Sequence, residues 1–240
     1  MIPDTVHAAV GRVLAALLPL FKRPAGAVAD AAVYARTRRT IDVLLADPRA
    51  AARSDTLAAD LVSIAQGYRT AAGDLRTAID SLERVAVASR AVIPAQPRTA
   101  TLALQRQAEL GLSGLIEILA LANIAIAVSD LRLRSHDEAT RLRARLGRAF
   151  DLAIERAGER GDIEALRALR DTQAKTTRDL IERGRPLARM VGYATAVPLP
   201  AVVIAHRLYQ DAGRADELMA ENPGFDHPGF MPMQGKALSR

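Results

Sequence analysis

Apolar residues recur at intervals of mostly three and four along the chain, and the longest such pattern begins after Ser54. This spacing places apolar side chains on one face of an α-helix and comes close to the heptad seam of packed helices. It predicts one long helix over residues 54–92, packed along another part of the chain or along a second subunit. The residues that carry the pattern are Leu57, Leu61, Ile64, Tyr68, Ala71, Leu75, Ile79, Leu82 and Val85.

Two glycines, Gly67 and Gly73, fall inside this pattern. Each weakens a helix by up to about 1 kcal/mol relative to alanine. In return, a residue without a side chain lets a neighbouring backbone come close. We therefore expect both glycines to mark close contacts.

The composition favours close-packed helices over a sheet-rich fold. Hydrophobic residues make up 50% of the chain, yet aromatic residues make up only 3% and Trp is absent, so the core consists of Ala, Leu, Val and Ile. The chain has no cysteine, which excludes disulfides and thiolate metal sites. The net charge is +6, but only Lys22, Lys175 and Lys236 among the 33 basic residues are lysines. This excess of Arg and Ala is typical of a GC-rich genome and does not by itself indicate a nucleic-acid surface.

Further helices are expected on both sides of the long pattern. Asp4 can cap a first helix, and a second is expected from about residue 27 to Ala46. Residues 93–97 (IPAQP) form the clearest linker. After it, Ser135 and Glu138 fit a capping box at a helix start. The chain therefore divides into an N-terminal helical hairpin region (residues 1–93), a second helical bundle (98–192) and a C-terminal subdomain (198–240), giving a mainly α protein with long antiparallel helices.

Residues 111–128 (GLSGLIEILALANIAIAV) are the one candidate for a membrane span. Eighteen residues are at the short end for a span, and a carboxylate such as Glu117 near the middle of a bilayer is costly. Asn123 also interrupts the apolar run. We therefore expect a buried bundle helix and no membrane span. The N-terminus lacks a basic start before an apolar segment, so we expect no signal peptide.

The sequence offers no motif for catalysis. It contains no Gly-rich phosphate loop, and its four histidines have no His or Cys neighbour at ligand spacing. His136, Asp137 and Glu138 could serve as acid–base groups, but the capping box already accounts for them. We expect no catalytic residue, no metal and no cofactor, and we expect that the chain is not an enzyme.

The segment 132–160 is the best nucleic-acid candidate. Arg141, Arg143, Arg145 and Arg148 form its densest basic run. Such a face would bind weakly and without sequence preference through counterion release. Acidic residues interleave it and no aromatic stacking platform accompanies it, so a solvated helix face is the simpler interpretation. Nucleic-acid binding stays open.

The pattern changes after Pro198. A short helix is expected over residues 200–210, and the segment 211–213 breaks it. A second short helix over 214–221 puts Ala215, Leu218 and Met219 on one side. The Asn222-Pro-Gly sequence ends that helix, because Asn and Gly tolerate a left-handed cap and Pro cannot continue a helix. Residues 191–197 offer the only candidate strand.

This tail resembles the LysM fold. The matching residues are 205–222 (AHRLYQDAGRADELMAEN), followed by HPGF at 227–230 and by Gly235. The more specific resemblance is to the C-terminal end of the DNA circularization tail proteins of Mu-like phages, and it covers about forty residues. In that family the proteins are longer, with a domain before the helical part. The resemblance suggests a separately encoded C-terminal half or an internal start.

The resemblance implies a small LysM-like α/β subdomain and a structural, non-enzymatic role in a contractile phage or prophage tail, at the baseplate or tail hub. The expected partners are other tail and baseplate proteins and further copies of the chain in a ring. The expected location is the virion, and the bacterial cytoplasm before assembly. The residues expected to carry assembly are Arg207, Tyr209, Arg214, Asp216, Glu217, His227 and Phe230.

Two other interpretations of the tail remain open. Leu208, Tyr209, Leu218 and Phe230 could simply form a small core, with Arg207, Arg214 and Asp216 as a solvated face. A true LysM module would instead bind peptidoglycan. Neither the first strand of such a module nor its Gly-Asp-Thr-like turn is visible here beyond the candidate at residues 191–197, which argues against a glycan groove.

Overall fold

The structure is a computed structural model, and it describes residues 4–23, 26–91, 96–224, 227 and 229–239. Most of the predicted linker at residues 93–97 lies outside these residues. The part described is mainly helical with one two-stranded sheet. Its helices are α1 (Asp4–Leu17), α2 (Ala31–Ala46), α3 (Pro48–Ala51), α4 (Leu57–Ala71), α5 (Leu75–Arg90), α6 (Ala100–Asp130), α7 (His136–Glu159), α8 (Ile163–Gly184), α9 (Ala201–Tyr209) and α10 (Ala215–Ala220). The strands are β1 (Met190–Ala194) and β2 (Gln234–Leu238).

The chain forms two compact units. Unit 1 contains residues 1–131 and 146–177, and unit 2 contains residues 132–145 and 178–240, so α7 and α8 each contribute to both. The bounds of these two units differ from those of the three segments predicted from the sequence. The division into three segments remains a prediction. One point bears directly on the tail: β1 pairs with β2, so a segment beginning at residue 198 omits half of the sheet.

Unit 1 is built around the apolar helix α6. This helix packs against α1, α4 and α5, while α2 packs against α4. Phe21 and Tyr68 meet edge to face in this unit, with ring centroids 5.4 Å apart. The largest fully buried side chains of the unit are aliphatic apart from Phe150, as the low aromatic content predicts: Leu14, Leu17, Leu18, Ile41, Ile64, Ile79, Leu82, Ile116, Leu121, Ile124 and Leu146.

The single long helix predicted over residues 54–92 is wrong, because the chain breaks it into α4 and α5. The Gly73 N–H donates to the Ala27 carbonyl oxygen at 2.7 Å instead of continuing the helix. Asp74 then caps α5, since its carboxylate accepts from the Thr77 N–H at 3.1 Å. The apolar spacing stays in phase across the break, so periodicity alone did not reveal it.

The two glycines mark close contacts, as expected. A Cβ on Gly73 would lie 2.8 Å from the Ala27 carbonyl oxygen. A Cβ on Gly67 would collide with the hydroxyl oxygen of Thr37, which belongs to α2. That neighbour is a side chain and not the backbone that we expected. The second helix also starts later than predicted, at Ala31, because Asp30 caps it through the Val33 N–H.

The polar residues inside α6 have partners within unit 1. The Glu117 carboxylate, 1% exposed, lies 2.5 Å from Arg90 Nε and 3.5 Å from Arg156 Nε. Asn123 Oδ1 accepts from Arg69 Nε at 3.2 Å. Among the described residues, α6 and the stretch Asp4–Lys22 have the length and composition of a membrane span, and 56% of the apolar window of α6 is buried. A buried ion pair of this kind fits a core helix.

Unit 2 contains the order β1, α9, a 3₁₀ turn (Ala212–Arg214), α10 and β2. The strands pair antiparallel, from Met190 opposite Leu238 to Ala194 opposite Gln234. β1 overlaps the candidate strand at residues 191–197, and both short helices lie where the sequence predicts them. The residue that ends α9 is Gln210, which adopts a left-handed conformation with φ 59°.

Candidate assembly surface

The C-terminal residues of unit 2 share one small core. Ile204 and Tyr209 of α9 and Leu218 of α10 meet Tyr193 of β1 and Ala237 of β2, together with Ala201, Ala205 and Met231. Leu218 and Met231 are fully buried. Each short helix thus covers the sheet with its apolar side, which leaves the polar sides for other contacts.

Three of the predicted assembly residues contact one another. The Arg214 guanidinium lies over the Tyr209 ring, 3.8 Å from the ring centroid, and also pairs with the Glu217 carboxylate. Hydrogen bonding to Glu217 is the main reason that the pKa of Arg214 is raised. The Tyr209 hydroxyl accepts the Leu238 N–H at 3.1 Å, and burial raises the pKa of this phenol. Tyr209, Arg214 and Glu217 therefore fasten α9 to α10 and β2.

The other predicted assembly residues are exposed. Arg207 and Asp216 lie on the outer sides of α9 and α10, and His227 is exposed in the turn that precedes β2. Phe230 is 70% exposed, the highest value among the exposed large hydrophobic residues apart from Val43. Its ring centroid lies 5.5 Å from that of His227.

The interpretation of Phe230 as a core residue is wrong, because Met231 takes the core position. The Met231 N–H donates to the Leu199 carbonyl oxygen at 3.0 Å, and the Met231 side chain is fully buried. Successive side chains of an extended segment point to opposite sides. Fixing Met231 inward therefore turns Phe230 outward, where the His227 turn supports it.

Sequence reasoning missed the role of Asn222. We expected it to tolerate a left-handed cap, but the positive φ in this turn belongs to Gly224, at 106°. The Asn222 amide instead donates to the carbonyl oxygens of Leu218 and Lys236, both at 2.7 Å. Its oxygen accepts the Lys236 N–H at 2.8 Å. The only signal in the sequence was an Asn at the end of a short helix close to a Gly-Lys-Ala-Leu segment.

The basic run of α7 does not form one continuous face. Arg141, Arg145 and Arg148 follow the i, i+4, i+7 spacing of one helix side, while Arg143 lies far around the helix. Arg141, Arg143 and Arg148 are exposed, and Arg145 is partly buried. Arg141, Arg143 and Arg145 belong to unit 2 and Arg148 to unit 1.

The acid–base candidates at the start of α7 bind the backbone of unit 2. Ser135 Oγ accepts the Glu138 N–H at 3.1 Å, as the capping box predicts, but Glu138 reaches back to the Arg134 N–H. Asp137 accepts the Met190 N–H at 2.6 Å. His136 Nδ1 lies 3.2 Å from the Gly184 carbonyl oxygen. Within the described part of the chain, no three His, Cys, Asp or Glu residues could jointly hold a metal.

No protein-family model matches this chain, and a search of curated proteins finds no match.

Proposed function

We propose that this chain is a non-enzymatic structural component of a contractile tail of a Mu-like phage or prophage, acting at the baseplate or tail hub. It would reside in the virion with other tail proteins and would pass through the bacterial cytoplasm before assembly. Further copies of the chain would form a ring. This proposal rests on the resemblance of the C-terminal residues together with the contacts that those residues make.

The observation that carries the proposal is the order of elements in unit 2. The LysM resemblance implies a first strand before two short helices, and β1 lies there, ahead of α9 and α10. β2 then completes an antiparallel pair with β1. We infer a LysM-like subdomain from this strand, helix, helix, strand order, with residues 190–238 as its extent.

The contacts of the matching residues favour a packing role. Tyr209, Arg214 and Glu217 are occupied in holding the subdomain together. Phe230 is 70% exposed, and an exposed aromatic side chain can anchor a protein partner. The backbone is hydrogen-bonded at Phe230 and at the next residue: the Phe230 N–H donates to the His227 carbonyl oxygen and the Met231 N–H to the Leu199 carbonyl oxygen. A backbone that is already held in place loses less conformational entropy when a partner binds.

The proposal is tested by quantitative mass spectrometry of gradient-purified particles from an induced culture of the encoding strain. We expect this chain at a fixed, low ratio to the tail-tube protein. Its absence from intact particles would contradict the proposal. DNA handling would then become the leading alternative.

A complementation series tests the anchor. A strain lacking the chain is supplied with wild type, with Phe230→Ala or with Val202→Ala, a matched control that trims a half-exposed side chain of α9. We expect Phe230→Ala to reduce incorporation into particles while Val202→Ala leaves it unchanged. Equal incorporation of both variants would remove Phe230 from the assembly surface.

The peptidoglycan alternative needs a chain that retains β1. A fragment limited to residues 198–240 lacks β1, the strand that pairs with β2. Its failure to bind peptidoglycan would therefore not show whether the folded chain binds peptidoglycan. The full chain should therefore be used in a sedimentation assay with purified peptidoglycan. On the structural proposal it stays in the supernatant, and specific co-sedimentation would favour the cell-wall module instead.

A further inference from the structure

The sheet of unit 2 has two edges, and its register decides which backbone groups face outward. The Ser239 N–H donates to the Arg189 carbonyl at 2.6 Å, and the Thr195 N–H donates to the Met233 carbonyl at 2.7 Å. Directly opposed residues of an antiparallel pair alternate between bonded and non-bonded pairs. Residues 190, 192 and 194 of β1 therefore turn their backbone groups away from β2, and residues 234, 236 and 238 turn theirs away from β1.

Side chains occupy the outer edge of β2 at Lys236 and Leu238. Asn222 accepts the outward Lys236 N–H at 2.8 Å and donates to the outward Lys236 carbonyl at 2.7 Å. The Tyr209 hydroxyl accepts the outward Leu238 N–H at 3.1 Å. Asn222 thus makes the two hydrogen bonds that a residue of a third strand would make, and no further strand can pair at Lys236.

The outer edge of β1 is closed at one end only. The Met190 N–H donates to the Asp137 carboxylate at 2.6 Å. Gly192 and Ala194 are exposed, and their outward N–H and carbonyl groups have no partner in the part of the chain that the structure describes. Residues 190–194 (MVGYA) contain neither a charged residue nor a proline, the usual devices that keep an edge strand from pairing.

We propose that a second copy of this chain adds its own β1 to this edge, antiparallel, around a two-fold axis at Tyr193. Gly192 of each copy then lies opposite Ala194 of the other. Both open residues exchange an N–H and a carbonyl with their opposite residue, so the unpaired groups of one edge satisfy those of the other. A register centred on Gly192 would instead require the Met190 N–H, which Asp137 already occupies.

The side chains allow this approach. Gly192 and Ala194 carry at most a methyl group, and each is paired across the sheet with Lys236 or Gln234 of its own copy. Crossing the joined sheet, the row of side chains reads Lys236, Gly192, Ala194 of the second copy and Gln234 of the second copy. Like charges are therefore not opposed across the new contact, a condition that cross-strand pairs require.

The proposed contact between the two copies of β1 is isologous and small, since only Gly192 and Ala194 of each copy form new hydrogen bonds. We therefore expect weak binding. Interfaces well below about 1,200 Å² are typical of weak, transient association, so the dimer should form only at high protein concentration. A two-fold contact closes after two copies. The proposed dimer does not depend on the proposed tail function. Copies arranged in a ring would need a second contact, different from this two-fold one.

Engineered cysteines test the register, because the chain has no cysteine of its own. Gly192→Cys and Ala194→Cys are made separately. A Cβ on Gly192 meets nothing closer than 3.9 Å, so the substitution fits. In the proposed register the two variants, once mixed, place their cysteines directly opposite, with Cα atoms about 5.5 Å apart, within reach of a disulfide. Each variant alone places its two cysteines diagonally, about 7–8 Å apart, beyond that reach.

Lys236→Cys, at the closed edge, measures the rate of random collision. We expect the mixture to form disulfide dimers at least about tenfold faster than this control, because pairing raises the local concentration of the thiols. Each variant alone should match the control. A mixture that oxidises no faster than Lys236→Cys overturns the proposal, and so does faster oxidation of Gly192→Cys alone, which would report the other register.

A second variant tests the pairing without cysteines. Ala194→Pro removes an N–H that faces away from β2, so it costs no hydrogen bond within the chain. In sedimentation velocity over a concentration series, we expect wild type to form dimers and Ala194→Pro to stay monomeric with an unchanged circular dichroism spectrum. A dimer that persists in a folded Ala194→Pro variant contradicts the proposal.

Discussion

The side-chain amide of Asn222 binds both backbone groups of Lys236, accepting the N–H at 2.8 Å and donating to the carbonyl at 2.7 Å. A third hydrogen bond, to the Leu218 carbonyl, joins the end of α10 to the same side chain. Asn222 is only 8% exposed. One residue thus links the last helix of unit 2 to its last strand and occupies the outer edge of β2 at Lys236.

Replacing Asn222 with Ala should destabilise unit 2 by about 1–3 kcal/mol, because it leaves polar groups without partners at a buried site. Asn222→Asp should be at least as harmful, since a carboxylate cannot donate to the two carbonyl oxygens. Hydrogen exchange of the Lys236 amide provides the measurement, and it should speed up in both variants. Asp216→Ala, an exposed position on α10, serves as the control. Unchanged protection of Lys236 would show that the amide contacts are not needed.

Glu117 supplies a second prediction, in unit 1. Its carboxylate lies between Arg90 and Arg156, and Arg90 also donates to the Ala149 carbonyl at 2.9 Å. Glu117→Ala leaves two partly buried guanidinium groups without their anion, so it should cost about 3–5 kcal/mol. Thermal unfolding followed by circular dichroism measures the loss.

The matched variant replaces the whole group with apolar residues, as Glu117→Leu with Arg90→Met and Arg156→Met. The triple variant leaves no guanidinium group without its carboxylate partner, so it should be more stable than Glu117→Ala. If the triple variant is instead the less stable of the two, the unpaired guanidinium groups left by Glu117→Ala cost less than the apolar replacements do.

The glycines of α4 and α7 give a matched pair. A Cβ on Gly67 would collide with the Thr37 hydroxyl, whereas a Cβ on Gly147 meets nothing within 4 Å. We therefore expect Gly67→Ala to destabilise the protein by about 1–3 kcal/mol through overpacking. Gly147→Ala should stabilise it by about 0.5–1 kcal/mol, because alanine is the better helix former. Urea unfolding measures the change in the free energy of unfolding for each variant, which should be negative for Gly67→Ala and positive for Gly147→Ala. If Gly67→Ala is as stable as wild type, the Thr37 side chain moves aside without cost.

The helices of the fold could be predicted from spacing, whereas their breaks and partners could not. Tyr68, Ala71 and Leu75 continue one apolar stripe across the end of α4, which is why one helix was expected where there are two. The local signal was Gly73 followed by Asp74, a turn residue before a good helix cap. It decides the structure because Ala27, distant in sequence, accepts the Gly73 N–H.

The candidate surface was only partly predictable for the same reason. Asn222 and Lys236 are 14 residues apart, and their contact depends on how the intervening turn folds. The strand β2 was missed because Gln234, Gly235 and Lys236 show no alternation of apolar and polar residues. In contrast, Leu218, Ala215 and Met219 pack on one side of α10 as their spacing predicts.

The basic run of α7 yields a prediction that separates DNA binding from a solvated face. Arg141 and Arg143 are both exposed but lie on different sides of the helix. On the structural proposal, DNA retention is weak and falls steeply between about 50 and 200 mM salt. Arg141→Gln and Arg143→Gln should reduce it equally, since only net charge changes. Filter binding at several salt concentrations measures this, and a selective loss with Arg141→Gln would reveal a true DNA face.

Three buried tyrosines make the protein sensitive to alkali. Burial raises the pKa values of Tyr68, Tyr193 and Tyr209 in the folded chain. A phenol with a raised folded pKa gives stability that is complete below the unfolded value, about pH 10. That stability is lost as the pH rises through the folded pKa, by up to about 1.4 kcal/mol per pH unit for each tyrosine.

Urea unfolding between pH 8 and 11.5 should therefore show a falling free energy of unfolding above about pH 10. Tyr209→Phe should be less stable at pH 8, by about 1 kcal/mol, because the Leu238 N–H loses its acceptor. The variant should nevertheless decline less steeply above pH 10, since one titrating phenol is gone. Parallel slopes for wild type and Tyr209→Phe would show that Tyr209 ionises as readily in the folded chain as in the unfolded one.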